Sequence, residues 1–96
     1  MSAAGVDGVD RSFLIHGRVQ GVGFRWWTAG EARRLGLRGC VRNRADGAVE
    51  VRIAGPAEQV AELARRLRQG PPGARVETVE ESRGQLPLPA GFEIVR

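Results

Sequence analysis

Gly17-Arg18-Val19-Gln20-Gly21-Val22-Gly23-Phe24-Arg25 is the stretch on which the reading of this chain turns. An apolar, strand-like run from Phe13 to Val19 leads into it. A helical pattern leaves it, with Phe24, Thr28, Ala32 and Leu35 on one face. Three glycines, at 17, 21 and 23, therefore join a strand to a helix. Glycine accepts positive φ and lets the main chain approach a ligand closely. Successive amides at a helix N-terminus form a concavity that favours phosphate. The loop lacks the ending of a Walker motif, and its glycines do not have the dinucleotide-binding spacing. Arg25 adds a cation. Phe24 takes the core face, so Arg25 is turned about 100° away from it, and helical side chains lean back toward the N-terminus. A guanidinium beside amides from Val19, Gln20, Gly21, Val22 and Gly23 would suit a dianionic phosphoryl group. The competing use of Arg25 is a surface ion pair with Glu31 or the chain terminus.

Downstream, Gly36 ends the first helix, and Leu37 to Asn43 reads as a strand with Leu37, Gly39, Val41 and Asn43 on one face. Asp46-Gly47 turns the chain into Ala48 to Ala54, where Val49, Val51 and Ile53 alternate with Glu50 and Arg52. Gly55-Pro56 opens a second helix with Pro56 at its first position. Val60, Leu63, Ala64 and Leu67 make its apolar stripe, and Gly70-Pro71-Pro72 stops it. Arg75 to Glu81 is read as a fourth strand although Val76 and Val79 break a period of two, and Phe92 to Val95 as a short terminal one. Met1 to Asp10, small and polar, is read as a flexible leader, leaving residues 11–96 as a single domain. The order βαββαβ with a β tail predicts an α+β, ferredoxin-like sandwich, two helices on one face of an antiparallel sheet. There the first two strands run parallel, so their carboxyl ends and the start of the first helix share a rim. Residues 17–23, Arg25 and Asn43 fall on it. A carboxamide is no base near neutral pH, but it can align a water molecule; Asn43 could equally bond its own backbone in the turn.

Length and composition narrow the rest. Ninety-six residues of about 10.4 kDa exclude a multidomain enzyme, and no apolar run reaches the roughly 18 residues of a membrane span. One cysteine, Cys40, allows no internal disulfide, and with one histidine it builds no zinc site; a reducing cytosol fits. The net charge of +4 rests on 15 basic residues, all of them arginine. They are scattered, so charge alone does not argue for nucleic acid. His16 reads as a half-buried strand histidine with no carboxylate nearby in sequence, Cys40 as packing, Trp26 and Trp27 as packing or rim residues, and Glu77, Glu80 and Glu81 as a solvated edge.

The motif from Gly17 to Arg25, followed by Thr28, Glu31-Ala32, Gly39-Cys40-Val41-Arg42-Asn43, Asp46 to Glu50, Gly55-Pro56 and Phe92-Glu93-Ile94, resembles the acylphosphatase family over nearly all of the chain after the leader. The resemblance implies hydrolysis of the carboxyl–phosphate bond of acyl phosphates, with Arg25 binding phosphate and Asn43 positioning the attacking water. It implies no cofactor and no metal. The expected partners are a small acyl phosphate and inorganic phosphate, not a membrane or nucleic acid, for a cytoplasmic monomer. One departure stands out: Cys40 occupies a position where the family usually has tryptophan, which is expected to remove a large packing residue. A non-catalytic phosphate or acyl-phosphate sensor, a relative of the similar domain in hydrogenase-maturation carbamoyltransferases, and an RNA-binding ferredoxin-like module share the architecture. The last lacks the aromatic-rich strands such modules use, since aromatics are only 5% of the chain.

Overall fold

A computed structural model describes residues 8–84 and 87–96. The elements run β1 (Gly8–Arg18), α1 (Phe24–Arg34), β2 (Arg38–Asn43), β3 (Val49–Pro56), α2 (Ala57–Gln69), β4 (Arg75–Arg83) and β5 (Phe92–Val95). The sheet order is β4-β1-β3-β2-β5. β1 and β2 each pair antiparallel with β3, so they run in the same direction with β3 between them. β4 joins β1 antiparallel, whereas β5 joins β2 in parallel, so the ferredoxin-like sheet is mixed and not wholly antiparallel.

Alternation decides which face is covered. Phe13 and Ile15 of β1, Val41 of β2 and Val49, Val51 and Ile53 of β3 are fully buried under the helices. α2 meets them with Val60, Leu63, Ala64 and Leu67, the stripe its spacing predicts. α1 presents Phe24, Thr28, Ala29 and Ala32, mostly small side chains that let the helix lie close to the sheet. Its end is a glycine stop: Gly36, at φ 70, and Leu37 donate their amides to Arg33 and Ala32 carbonyls at 3.1 and 2.9 Å.

Two expectations need correction, and the fourth strand, expected from Arg75 to Glu81, is present with an irregularity. Gly8, Val9 and Asp10 are strand and not leader, because they pair with Pro56, Gly55 and Ala54 while Val9 packs on the core. The leader reading for residues 1–7 lies outside the described residues. Pro56 caps α2 instead of starting it: its ψ of 143° keeps it extended opposite Gly8. Finally, β4 carries a bulge. His16 pairs with Thr78 but Gly17 with Val76, leaving Glu77 as the extra residue. The inserted residue lets Val76 and Val79, three apart, both pack against the core.

Candidate active site

The rim is built by anchoring the glycine loop from below. Val19 is 1% exposed, and Val22 packs against the core. Between and after them Gly21 and Gly23 turn the chain at φ 77 and 78. A Cβ at either would touch nothing within 4 Å, so the backbone angle and not crowding calls for glycine there. Gly17 serves differently. It still belongs to β1, and its Cβ would fall 2.1 Å from the Arg75 carbonyl oxygen, so its missing side chain admits the bulged β4 and not a ligand.

One small cavity of about 230 Å³ lies on this rim, lined by Val19, Gly21, Gly23, Phe24, Arg25, Trp26 and Asn43. Glycine has only main chain to offer, so part of the wall is bare backbone. Gly23 caps α1 with its carbonyl, which accepts from the Trp27 amide at 3.0 Å. No side chain caps this helix and no acidic residue occupies its first turn, so its first amides have no intrahelical acceptor and its positive dipole end is uncompensated. α2, by contrast, has Glu58 in its first turn.

Arg25 and Asn43, 18 positions apart in sequence, thus meet in one cavity. The competing uses foreseen for them are taken by other residues. Glu31 is held by Arg34 and by Arg66, the latter at 2.7 Å, and among the described residues Arg25 has no carboxylate partner. In the β2–β3 turn Asp46 does the bonding: Oδ1 accepts from the Ala48 amide at 3.0 Å, and the Arg44 guanidinium pairs with the carboxylate at 3.2 Å. Those bonds, the guanidinium first, hold the Asp46 carboxyl below its ordinary pKa. The Asn43 carboxamide makes no hydrogen bond among the described residues.

Gln20 and Val22 do not line the cavity. The Gln20 side chain faces the β2–β3 turn instead, where Nε2 donates to the Arg44 and Ala48 carbonyls at 2.8 and 2.9 Å. Both hydrogens of one amide group therefore fasten the glycine loop to the hairpin that carries Asn43. The sequence reading missed this clamp; of the two tryptophans it left between packing and rim, Trp26 lies in the wall. A long amide set among glycines, with no helix or strand to serve, was the available signal for the clamp.

The family model for acylphosphatases matches residues 11–94. The chain belongs to the acylphosphatase family. It is 58% identical over 76 residues to an acylphosphatase of Nitrobacter hamburgensis, covering 79% of this chain and 77% of that one. An acylphosphatase structure from Coxiella burnetii superposes with a TM-score of 0.92 at 28% identity, covering 99% of this chain and 100% of that one. One from Bacillus subtilis gives 0.81 at 36% identity, covering 92% and 99%.

Within this acylphosphatase-family enzyme the other candidates lie away from the rim. His16 is on the face of the sheet that no helix covers, and the absent carboxylate is in fact present: its Nε2 lies 2.9 Å from Glu80 Oε2 on the neighbouring strand. β4 is otherwise the exposed edge foreseen for its glutamates. Cys40 is half-buried on the same open face, in a groove of about 320 Å³ with Arg42, Glu50, Arg52 and Val95. Cys40 therefore stands on the sheet surface and not in the core. Burial raises the Cys40 thiol pKa against the opposing pull of Arg52, which disfavours the thiolate. This groove exceeds the rim cavity in volume, but its Arg42 is bonded to Glu50 at 2.6 Å and has no free charge for an anion. Trp27 packs edge-on against Phe24, ring centres 5.5 Å apart at 69°. Among the described residues no three His, Cys, Asp or Glu side chains gather as metal ligands, and no helix is long and apolar enough to cross a membrane.

Proposed function

We propose that this acylphosphatase-family enzyme hydrolyses small acyl phosphates to carboxylate and inorganic phosphate at the rim cavity, without a metal. The observation that carries the proposal is the meeting of the Gly21 and Gly23 backbone, the Arg25 guanidinium and the Asn43 carboxamide in one wall. In this reading the backbone of Val19, Gly21 and Gly23 and the Arg25 guanidinium hold the phosphoryl oxygens and neutralise the charge that builds on them. Asn43 aligns a water molecule opposite the leaving group. Water attacks phosphorus, one of its protons passes to a phosphoryl oxygen, and the bond from phosphorus to the acyl oxygen breaks with its electron pair leaving on the carboxylate. A carboxylate leaves easily, so positioning and charge stabilisation suffice, and no nucleophilic side chain is called for. The same uncommitted guanidinium and carboxamide favour an enzyme over a passive phosphate sensor, because a sensor has no use for a carboxamide free to hold water.

The chain acts in this proposal as a cytoplasmic monomer that binds neither membrane nor nucleic acid. Five of its arginines support the last point: Arg34, Arg42, Arg44, Arg65 and Arg66 are each paired with a carboxylate, which offsets their charge toward phosphates. The test is acetyl phosphate hydrolysis in excess chelator. Asn43→Ala is expected to lose roughly 10²–10³ in kcat with inhibition by phosphate nearly unchanged, and Arg25→Ala to lose both. A wild-type rate that vanishes with the chelator, or equal rates in wild type and Asn43→Ala, would refute it.

A further inference from the structure

We infer that Trp26 is the specificity-determining residue for the acyl half of the substrate, and that it selects uncharged, apolar acyl groups, aromatic ones above all. The inference rests on the phosphoryl-binding reading just given and extends it to the part of the substrate that the loop does not touch.

Two adjacent tryptophans have opposite fates here. Trp27 is used by the fold, edge-on to Phe24 and against the core. Trp26, about 100° away around α1, is 75% exposed, and it is the large hydrophobic side chain that stands out in water among the described residues. Folding gains little from an indole left in that state. It is nevertheless not remote from the chemistry, because it shares the wall of the rim cavity with Arg25 and Asn43.

The cavity is therefore two-sided. Glycine backbone, a guanidinium and a carboxamide make one part, and an indole makes another. An acyl phosphate has the same division, an anionic phosphoryl group joined through one oxygen to a carbonyl carbon and its substituent. With the phosphoryl group on Arg25, the exposed apolar surface that the same wall offers to the acyl substituent is Trp26. Arg25 is the one ionisable residue in the wall, and the phosphoryl group uses it. A second carboxylate on the acyl part finds no cation there, whereas an apolar face finds the indole, with offset or edge-on stacking available to a ring.

The experiment compares wild type, Trp26→Ala and Trp26→Phe with acetyl, benzoyl and succinyl phosphate, and measures competitive inhibition by acetylphosphonate, benzoylphosphonate and inorganic phosphate. The phosphonates remove differences in intrinsic reactivity. Trp26 is on the surface, so both variants are expected to fold. In wild type, benzoyl phosphate should be preferred to acetyl phosphate by about 10-fold or more in KM, and succinyl phosphate should be the poorest. Trp26→Ala should cut the benzoyl preference about 10-fold, through KM and the phosphonate inhibition constants more than kcat, and Trp26→Phe should retain most of it. A preference unchanged in Trp26→Ala, equal proportional losses on every substrate, or succinyl phosphate equal to benzoyl phosphate overturns the inference. If those failures occur while Arg25→Ala still abolishes hydrolysis, only the role of Trp26 falls. If wild type hydrolyses none of the three, the phosphoryl-binding reading falls, and this inference falls with it.

Discussion

Replacing Gln20 by alanine should damage turnover more than phosphate binding, because this side chain ties the loop to the hairpin without lining the cavity. Its Nε2 donates to the Arg44 carbonyl at 2.8 Å and to the Ala48 carbonyl at 2.9 Å. A net hydrogen bond contributes about 0.5–1.5 kcal/mol, and an orphaned buried acceptor costs more. Neither carbonyl would be orphaned, since Arg44 oxygen also accepts from the Gly47 amide at 3.2 Å and Ala48 oxygen from the Arg44 amide at 2.8 Å. The loss is thus two bonds at the low end, about 1–2 kcal/mol, or roughly 4–16 °C in Tm for a domain of this size. The chemical loss comes from geometry. Asn43 stands at the end of β2, next to Arg44, and freeing that turn from the loop changes the distance from the carboxamide to a phosphoryl group held by Gly21, Gly23 and Arg25. A displacement of 1 Å can cost about 10² in rate, so kcat should fall about 10- to 100-fold while phosphate inhibition changes less than about 3-fold. Gln20→Glu keeps the length, loses both donors and points negative oxygens at two carbonyls, so it should be the worse variant in both stability and kcat. Urea midpoints and steady-state kinetics on the three proteins decide it. A variant that is less stable with kcat intact would show the clamp to be structural only, and one whose phosphate inhibition collapses in parallel with kcat would show that Gln20 shapes the anion site itself.

Thr28 is fully buried on α1, and its hydroxyl oxygen has no partner among the described residues. Thr28→Val keeps the shape and removes that unpaired group, so it should raise the urea midpoint by the equivalent of about 1 kcal/mol; a clear loss of stability would point to a hydrogen bond at this hydroxyl. Glu62 is bonded by Arg65 and Arg66, in that order of effect, which lowers its pKa from 4.5 to about 2. A folded pKa below the unfolded one stabilises above pH 4.5, and that contribution is lost as pH falls toward 2. Glu62→Gln should therefore have a lower urea midpoint than wild type at pH 7, with the gap narrowing steadily as pH falls from 4.5 toward 2, and a gap at pH 2 as wide as at pH 7 would contradict this. His16→Gln should leave the shape of the pH–rate profile between pH 5 and 8 as it is in wild type, because the ring pairs with Glu80 on the open face and the profile follows the substrate phosphoryl group, whose second pKa is about 6 in phosphate esters. A titration lost with His16 would place that ring in the chemistry.

Where local pattern and tertiary environment agree, the elements were legible in the sequence. β3 is buried on one face, and so Val49, Val51 and Ile53 alternate cleanly; α2 covers the sheet with one stripe, and so Val60, Leu63, Ala64 and Leu67 fall at helical spacing. The rim was legible too, because strand order alone brings the ends of β1 and β2 together and with them Arg25 and Asn43. What escaped depends on partners far off in the chain. The spacing of Val76 and Val79 makes sense only with the bulge at Glu77 opposite β1. Gly8 to Asp10 has no apolar run of its own and becomes strand because the end of β3 pairs with it. The carboxylate beside His16 lies 64 positions away. Gly17 looked like a third loop glycine, but the constraint on it is the Arg75 carbonyl of an adjacent strand.

The central claim is that a phosphoryl group sits between the glycine loop, the start of α1 and the Asn43 carboxamide. Titrating the ¹⁵N-labelled protein with inorganic phosphate and following amide and side-chain resonances tests it most directly. Saturable shifts should concentrate at Gly21, Gly23, the Arg25 guanidinium and the Asn43 carboxamide, and they should disappear in Arg25→Ala. Shifts concentrated instead around Cys40, Arg42 and Arg52 on the open face, or persisting at full strength in Arg25→Ala, would contradict it.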